Sequence, residues 1–341
     1  MRAVGYGADR ADDSPSCLID LHLPEPQPGP SDLLVQVEAV AINPVDAKVR
    51  RRETPAPGAV RVLGWDCAGT VLALGEDVTG FAVGDAVWYA GALQRPGCNS
   101  ERHVVDHRLV GHRPAGWSVA EAAALPLTAI TAWELLFERL RLPSHSAATA
   151  PQTLLVVGAA GGVGSILVQL ARALTPLTVV GTASREASRR WLAQLGVEHV
   201  IDHHRPLAPQ LEALALPPVR AAISLTHSGS HYAALVDLLA PQGALALIDD
   251  PDPRQIDVLA LKRKSLSLHW ELMFTRSLYQ TPDMAEQGRI LERVAELASA
   301  GRVRSTLQHC PGPITAAQLR RAHGWIESGA AMGKLVLEGW G

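Results

Sequence analysis

The chain has 341 residues, a mass of 36.3 kDa, 31 Lys plus Arg against 34 Asp plus Glu, and a formal charge of −3. At about 150 residues per domain, this length predicts two domains with full hydrophobic cores. The charge balance speaks against a nucleic-acid partner, and 47% hydrophobic with 19% charged residues excludes disorder.

Cysteines 17, 67, 98 and 310 lie far apart and form no C-x-x-C, so neither a disulfide framework nor a thiolate zinc knuckle is readable. MRAVGYGADRADDSP has no apolar core of signal-peptide length, and no stretch approaches 18 uninterrupted apolar residues. A cytoplasmic protein without a membrane partner is expected.

The first 125 residues read as β-rich. LLVQVEAVAI (33–42) alternates, with Val35, Val37, Ala39 and Ala41 on one face. GTVLALG (69–75) and GDAVWYAG (84–91) are further short strands broken by glycine, as in a mostly antiparallel barrel or sandwich. Near residue 120 the period becomes helical, in VAEAAALPLTAITAWELLFERL with an interruption at Pro126. LPSHSAATAPQ (142–152) reads as a surface linker.

Strands and helices then alternate. TLLVVG (153–158), LTVVGT (177–182), VEHVI (197–201), AAISL (221–225) and GALALI (243–248) are strands, and SLSLHW (265–270) is the expected last one. Helices lie at GGVGSILVQLARAL and SREASRRWLAQLG. This alternation predicts a doubly wound parallel sheet. The tail carries helices at 282–301 and 315–329 and a closing strand, GKLVLEGW.

The strongest local signal is VVGAAGGVGSILVQLA, a buried strand running through Gly158, Gly161, Gly162 and Gly164 into an amphipathic helix. Glycines let the backbone approach a pyrophosphate, and the helix N-terminus supplies free N–H groups. The alternative is a loop that only packs helix on strand. Dinucleotide choice is read about 20 residues on, at the end of the second strand. There Ser184 and Arg185 suit a 2′-phosphate and predict NADPH, with Arg189 and Arg190 following. Glu186 is the acidic group that would reach the ribose in a slipped register.

With INPVDAKVR (42–50), LGWDCAGTV (63–71), GDAVWYAG, AAALPLTAITAWE (122–134), KRKSLSLHWELMF (262–274) and IESGAAMGKLVL (326–337), the chain resembles the medium-chain dehydrogenase/reductase superfamily. The nearest branch is the quinone-oxidoreductase-like group, often labelled zinc-type alcohol dehydrogenase-like. The resemblance implies an α/β protein. A GroES-like β-rich catalytic domain would span 1–125 and 272–341, and a Rossmann NADP-binding domain 126–271. It also implies a cofactor between the domains and a homodimer or homotetramer.

Zinc-using members hold their metal through Cys, His and a further Cys. The matching first position here is Asp46, and the Gly-His-Glu position reads Gly64-Trp65-Asp66. TAITAWE supplies no third cysteine, so no metal is expected; Cys98, His103 and His107 offer the only other ligand-like spacing.

The matched motifs supply candidate residues. Asn43 can bond substrate or cofactor, or simply turn the chain before Pro44. Asp46 and Lys48 form a pair or relay, or an exposed ion pair. Trp65 and Tyr89 stack on a flat substrate or pack in the core. For the cofactor, the resemblance implies Thr128, Gly161, Gly162, Val163, Gly164, Ser184, Arg185, His203, Thr226, Ile248, His269, Trp270 and Lys334. His203 stands where relatives often have Tyr, and a lone His269 is more often structural.

Reducing a simple carbonyl makes an alkoxide that zinc normally stabilises, whereas a quinone or conjugated enone spreads the charge itself. The expected activity is therefore zinc-free, NADPH-dependent reduction of a quinone or other conjugated carbonyl. The alternatives are an NADPH-binding redox sensor with little turnover, and a zinc-type alcohol dehydrogenase.

Overall fold

A computed structural model describes residues 1–10, 14–145 and 150–341, so positions 146–149 of the expected linker lie outside the described residues. The chain divides into two compact units, Met1–Ile130 with Phe274–Gly341, and Thr131–Met273.

The first unit holds β1 (Arg2–Gly7), β2 (Ile19–His22), β3 (Asp32–Ala41), β4 (Val60–Val62), β5 (Cys67–Leu74), β6 (Ala86–Tyr89), β7 (Arg102–Asp106) and β8 (Val110–His112). β2, β1 and β4 form a small antiparallel sheet. The larger sheet is built on β3, where Leu33, Val35, Val37 and Ala39 are buried and the residues between them only partly so. Its neighbour β5 approaches so closely that a Cβ at Gly69 would lie 2.0 Å from the Gln36 carbonyl oxygen. Only glycine fits there without moving a strand.

Three helices of this half begin on readable signals. Asn43 and Asp46 form a capping box on α1 (Pro44–Arg52), with proline in its first turn. Ser118 and Glu121 do the same for α2 (Val119–Ala123). Pro126 opens α3 (Pro126–Trp133), which continues as a π-helical segment, Glu134–Arg139.

In the second unit, strands and helices alternate as β9 (Thr153–Val157), α4 (Gly162–Leu174), β10 (Thr178–Thr182), α5 (Glu186–Gln194), β11 (His199–Ile201), α6 (Leu207–Leu214), β12 (Val219–Ser224), α7 (Ser228–Leu238), β13 (Leu239–Leu247) and β14 (Ser267–Trp270). All six strands run parallel in the order β11-β10-β9-β12-β13-β14. Every residue of β9 is buried, as expected of a strand covered on both faces. The order reverses between β9 and β12, which creates a switch point at the carboxyl ends of the strands, where such sheets bind ligands.

The remaining chain returns to the first unit as α8 (Thr275–Tyr279), α9 (Glu286–Ser299), β15 (Leu307–His309), α10 (Ala316–Glu327) and β16 (Lys334–Glu338). β16 pairs antiparallel with the end of β3, Val336 opposite Ala41. That pairing brings the C-terminal segment to the start of α1. Below it, Arg50 is buried with Nη1 2.8 Å from His323 Nδ1 and Nη2 2.5 Å from Glu327. Burial and Arg50 push His323 down to about 3, so its ring is neutral. Among the described residues no helix is long and apolar enough to cross a membrane.

Candidate cofactor and active site

The second unit builds a glycine loop at the head of a helix. β9 ends at Val157, and Gly158 turns the chain at φ +78° while its N–H donates to Thr182 Oγ1 at 3.2 Å. Gly161 caps α4 without a side chain. A Cβ at Gly164 would sit 2.5 Å from the Ala159 carbonyl oxygen, so glycine alone lets the helix lie this close to its loop. The N–H groups of Gly162, Val163 and Gly164 open the helix and have no carbonyl one turn back to bond. Gly161, Gly162 and Val163 are only partly buried. A diphosphate fits a cradle of this kind, with backbone donors and the positive helix end facing it.

The other cofactor candidates of this unit also follow carboxyl ends of its strands. Ser184 and Arg185 follow β10, and Arg185 is the exposed N-cap residue of α5. Glu186 lies 3.8 Å from Arg190, an exposed pair one helical turn apart. Arg189 donates to the Val200 carbonyl at 3.0 Å. His203 follows β11 and is half-buried; Thr226 follows β12, its hydroxyl 2.8 Å from His227 Nδ1. Ile248 follows β13. His269 and Trp270 end β14, with His269 Nε2 3.2 Å from Ser267 Oγ and Trp270 exposed.

The candidates of the first unit are placed differently. Lys334 is buried, its Nζ donating to Asn43 Oδ1 at 2.5 Å and Asp66 Oδ2 at 2.6 Å. Asn43 Nδ2 donates to the same Asp66 oxygen at 2.7 Å, and the Leu127 N–H donates to Asp66 Oδ1 at 2.7 Å. Asp66 thus caps α3. Lys334 is therefore a structural cation rather than an exposed cofactor contact, and Asn43 has both ends of its amide occupied. Thr128 is buried on α3, with its hydroxyl donating to the Leu125 carbonyl at 2.9 Å.

Asp46 is fully buried, which overturns the exposed Asp46–Lys48 ion pair. Its Oδ2 accepts the Asn43 N–H at 2.8 Å, and the Gly64 N–H also faces the carboxyl. Burial raises Asp46 to about 7, with nearby Asp66 adding to the rise and the Asn43 N–H and Lys334 opposing it. Burial pushes Asp66 up as well, against the pull of Lys334 and the Leu127 N–H. The two carboxyls thus share one counter-charge. Asp66 accepts three donors, the Lys334 ammonium among them, so a negative charge is better placed there than on Asp46.

Trp65 and Tyr89 are 1% and 0% exposed, so neither ring face is open to a flat ligand. The Trp65 indole donates to the Ala92 carbonyl at 3.2 Å, and its ring meets Phe274 edge-on. His103 stacks on Tyr89, with ring centroids 5.5 Å apart. Burial holds His103 down at about 4, so it is neutral. Its Nε2–H donates to the Pro96 carbonyl at 2.9 Å, and Nδ1 accepts from the Tyr89 hydroxyl at 3.1 Å. His107 Nδ1 faces the Ser31 carbonyl at 2.8 Å. Both histidines are thus engaged elsewhere than with Cys98. Among the described residues no group of three or more His, Cys, Asp or Glu is arranged for a metal ion. The donor set also misfits zinc: an indole, which cannot ligate, stands at one ligand position, and the neighbouring Asp66 is already held by the Lys334 ammonium.

The glycine cradle, the two-unit layout and the reversed strand order point to one family. Residues 29–133 match the alcohol dehydrogenase GroES-like domain and residues 195–337 the zinc-binding dehydrogenase domain. The chain belongs to the medium-chain dehydrogenase/reductase superfamily. A zinc-type alcohol dehydrogenase-like protein of Staphylococcus aureus strain MSSA476 is 36% identical over 314 residues, 92% of each chain. A crystal structure from Rhizobium etli CFN 42, provisionally called a zinc-dependent alcohol dehydrogenase, is 50% identical with a TM-score of 0.94, covering 100% of this chain and 98% of that one. A mycobacterial protein solved with NADPH is 26% identical with a TM-score of 0.80, covering 99% of both. The protein is accordingly an oxidoreductase of GroES-like plus Rossmann architecture. Asp66 was the residue hardest to find, since its only sequence signal is its place in Gly64-Trp65-Asp66.

Two outcomes are expected from the buried network. Lys334→Met, which keeps the stem and removes the charge, leaves Asp66 uncompensated and should cost about 3–5 kcal/mol in urea denaturation; a loss below 1 kcal/mol contradicts the network. Asp46 is raised from 3.8 to about 7, so its contribution to stability is full below pH 3.8 and lost as pH rises through 7. Asp46→Asn keeps an acceptor for the Asn43 N–H and removes that loss. Relative to wild type, the variant should gain on the order of 2–3 kcal/mol between pH 5 and pH 9 in thermal melts, and a flat difference contradicts the assignment.

Proposed function

We propose that the protein is an NADPH-dependent reductase that delivers hydride to a quinone or other conjugated carbonyl without zinc. The observation that carries this reading is the open N-terminus of α4 beside Ser184 and Arg185 at the carboxyl edge of the sheet. The relative solved with NADPH supports the same choice.

When bound, NADPH supplies the hydride and its two electrons. The chain supplies position. The N–H groups of Gly162, Val163 and Gly164 hold the diphosphate, and Ser184 and Arg185 hold the 2′-phosphate by a hydroxyl donor and a guanidinium fork. The acceptor class follows from what the first unit offers. Asn43, Asp46, Trp65 and Tyr89 are buried, and Asn43, Trp65 and Tyr89 have their donors engaged, so none stands ready to stabilise an alkoxide. A quinone or enone delocalises the incoming charge and requires less help.

The same burial favours a second reading, an NADPH-binding redox sensor with little turnover. A panel separates the two. With NADPH, a small quinone or enone should exceed a simple aldehyde in kcat/KM by about a hundredfold or more, the scale of lost Lewis-acid stabilisation. Ethanol with NADP⁺ should be poorer still, and the purified protein should hold well under one zinc per chain by mass spectrometry. A winning aldehyde or ethanol, or stoichiometric zinc with chelator-sensitive turnover, overturns the proposal. Tight NADPH binding with no acceptor consumed selects the sensor.

Arg185→Ala should weaken NADPH binding by about ten- to a hundredfold, the worth of one charge-assisted contact of 1.5–3 kcal/mol, and leave NADH unchanged. Titration by nicotinamide fluorescence reads both, and equal weakening of the two cofactors refutes the 2′-phosphate role.

A further inference from the structure

Four histidines gather at the carboxyl edge of the second unit. His203 and His204 lie just beyond β11; His227 caps α7 and His231 lies in its first turn. The His203 ring meets His204 and His231 edge-on, at centroid distances of 4.6 and 6.2 Å. His203 Nδ1 is shielded from solvent and has no hydrogen-bond partner. The parallel register places Thr182 beside Ile201. Ser184 and His203 each lie two residues further on, so they leave the sheet side by side. An anion held by Ser184 and Arg185 would thus lie on the side of the sheet edge from which the chain runs into His203 and His204.

We infer that His203, His204, His227 and His231 form a proton-linked subsite for a phosphate monoester, so that binding the 2′-phosphate of NADPH draws protons onto these rings. The inference rests on the NADPH reading above and adds its regulation by pH. Without an anion, burial and the neighbouring rings oppose the charging of His203 and His231. Burial, His204 and His231 hold His203 below its ordinary range, and burial, His227 and His204 do the same to His231. Asp202 counters this at His203 and Asp249 at His231. One Asp249 oxygen is occupied by the Ser228 N–H at 2.9 Å. A phosphate carrying close to two negative charges reverses the balance and makes a charged imidazole favourable. Arg185 is charged at every working pH, so it gives the subsite a constant part, and the histidines give it a part that depends on pH.

Linkage sets the size of the effect. If one proton is taken up per NADPH bound, affinity falls about tenfold for each pH unit above the histidine range. The ligand's own phosphate protonates near pH 6 and works in the opposite direction, so a rise in affinity on acidification from pH 8 to pH 6.5 comes from the protein.

Calorimetric titration of the full chain with NADPH and with NADH, at pH 7 in buffers of contrasting ionisation enthalpy, counts the protons directly. The expected result is uptake approaching about one proton for NADPH and none for NADH. His231→Gln should at least halve the uptake while NADPH still binds through Ser184 and Arg185. His204→Gln, at an exposed position, gives the same test in a variant that keeps the buried packing. Equal uptake for both cofactors, or unchanged uptake in both variants, overturns the inference and leaves the NADPH assignment standing. Failure of NADPH to bind while NADH binds overturns both.

Discussion

One ammonium organises the first unit. Lys334 joins Asn43 at the head of α1 to Asp66 just before β5, and Asp66 in turn holds the N–H of Leu127 at the head of α3. Segments almost 300 residues apart in sequence meet at this point, and each member is buried. A buried ion pair is stable only when its remaining lone pairs and protons are satisfied. Here Asn43 and the start of α3 satisfy them, so two helices and the closing strand are fixed by the same few bonds. The cost falls on Asp46, which lies near Asp66 without a counter-charge of its own and is raised to about 7.

The sequence made the regular parts of this architecture readable. β9 and β10 are short apolar runs, α4 and α5 have strong helical periods, and the glycines between β9 and α4 mark the cradle. Less readable were elements whose stability comes from distant partners. β1, β2 and β4 are short and gain meaning only as a sheet. α1 ends in Arg50, Arg51 and Arg52 and looks like a polar segment until His323 and Glu327 of α10 are set against it.

The same limit governs the site. The glycines, Ser184 and Arg185 lie at strand ends and helix starts, so their places are readable from local spacing. Tyr89 and His103 sit on β6 and β7, which pair with different strands, β5 and β3. Nothing in their spacing shows that one ring stacks on the other and accepts a hydrogen bond from it. A motif can therefore identify which residues a relative uses while leaving open whether this chain has turned them inward. Lys334 and Asn43 are such cases: the pattern is intact, and the atoms are occupied by one another.

The buried network of the first unit and the sheet edge of the second thus treat charge in opposite ways. In the first, Lys334, Asp66 and Arg50 are buried and paired, and His103 and His323 are held neutral, so little can change protonation without loss of packing. In the second, Arg185, His204, His227 and Thr226 stand exposed at the edge of the sheet, where an anion reaches them without unfolding anything. Water screens such groups when they are alone, and their mutual repulsion is modest enough to persist in the folded chain. On the reading proposed above, a dianionic group bound there gains these donors and displaces that water, so the interaction strengthens only when the ligand arrives. Recognition in this chain is therefore expected to be most sensitive to conditions at the cofactor's phosphate end, while the buried polar network responds to pH chiefly through stability.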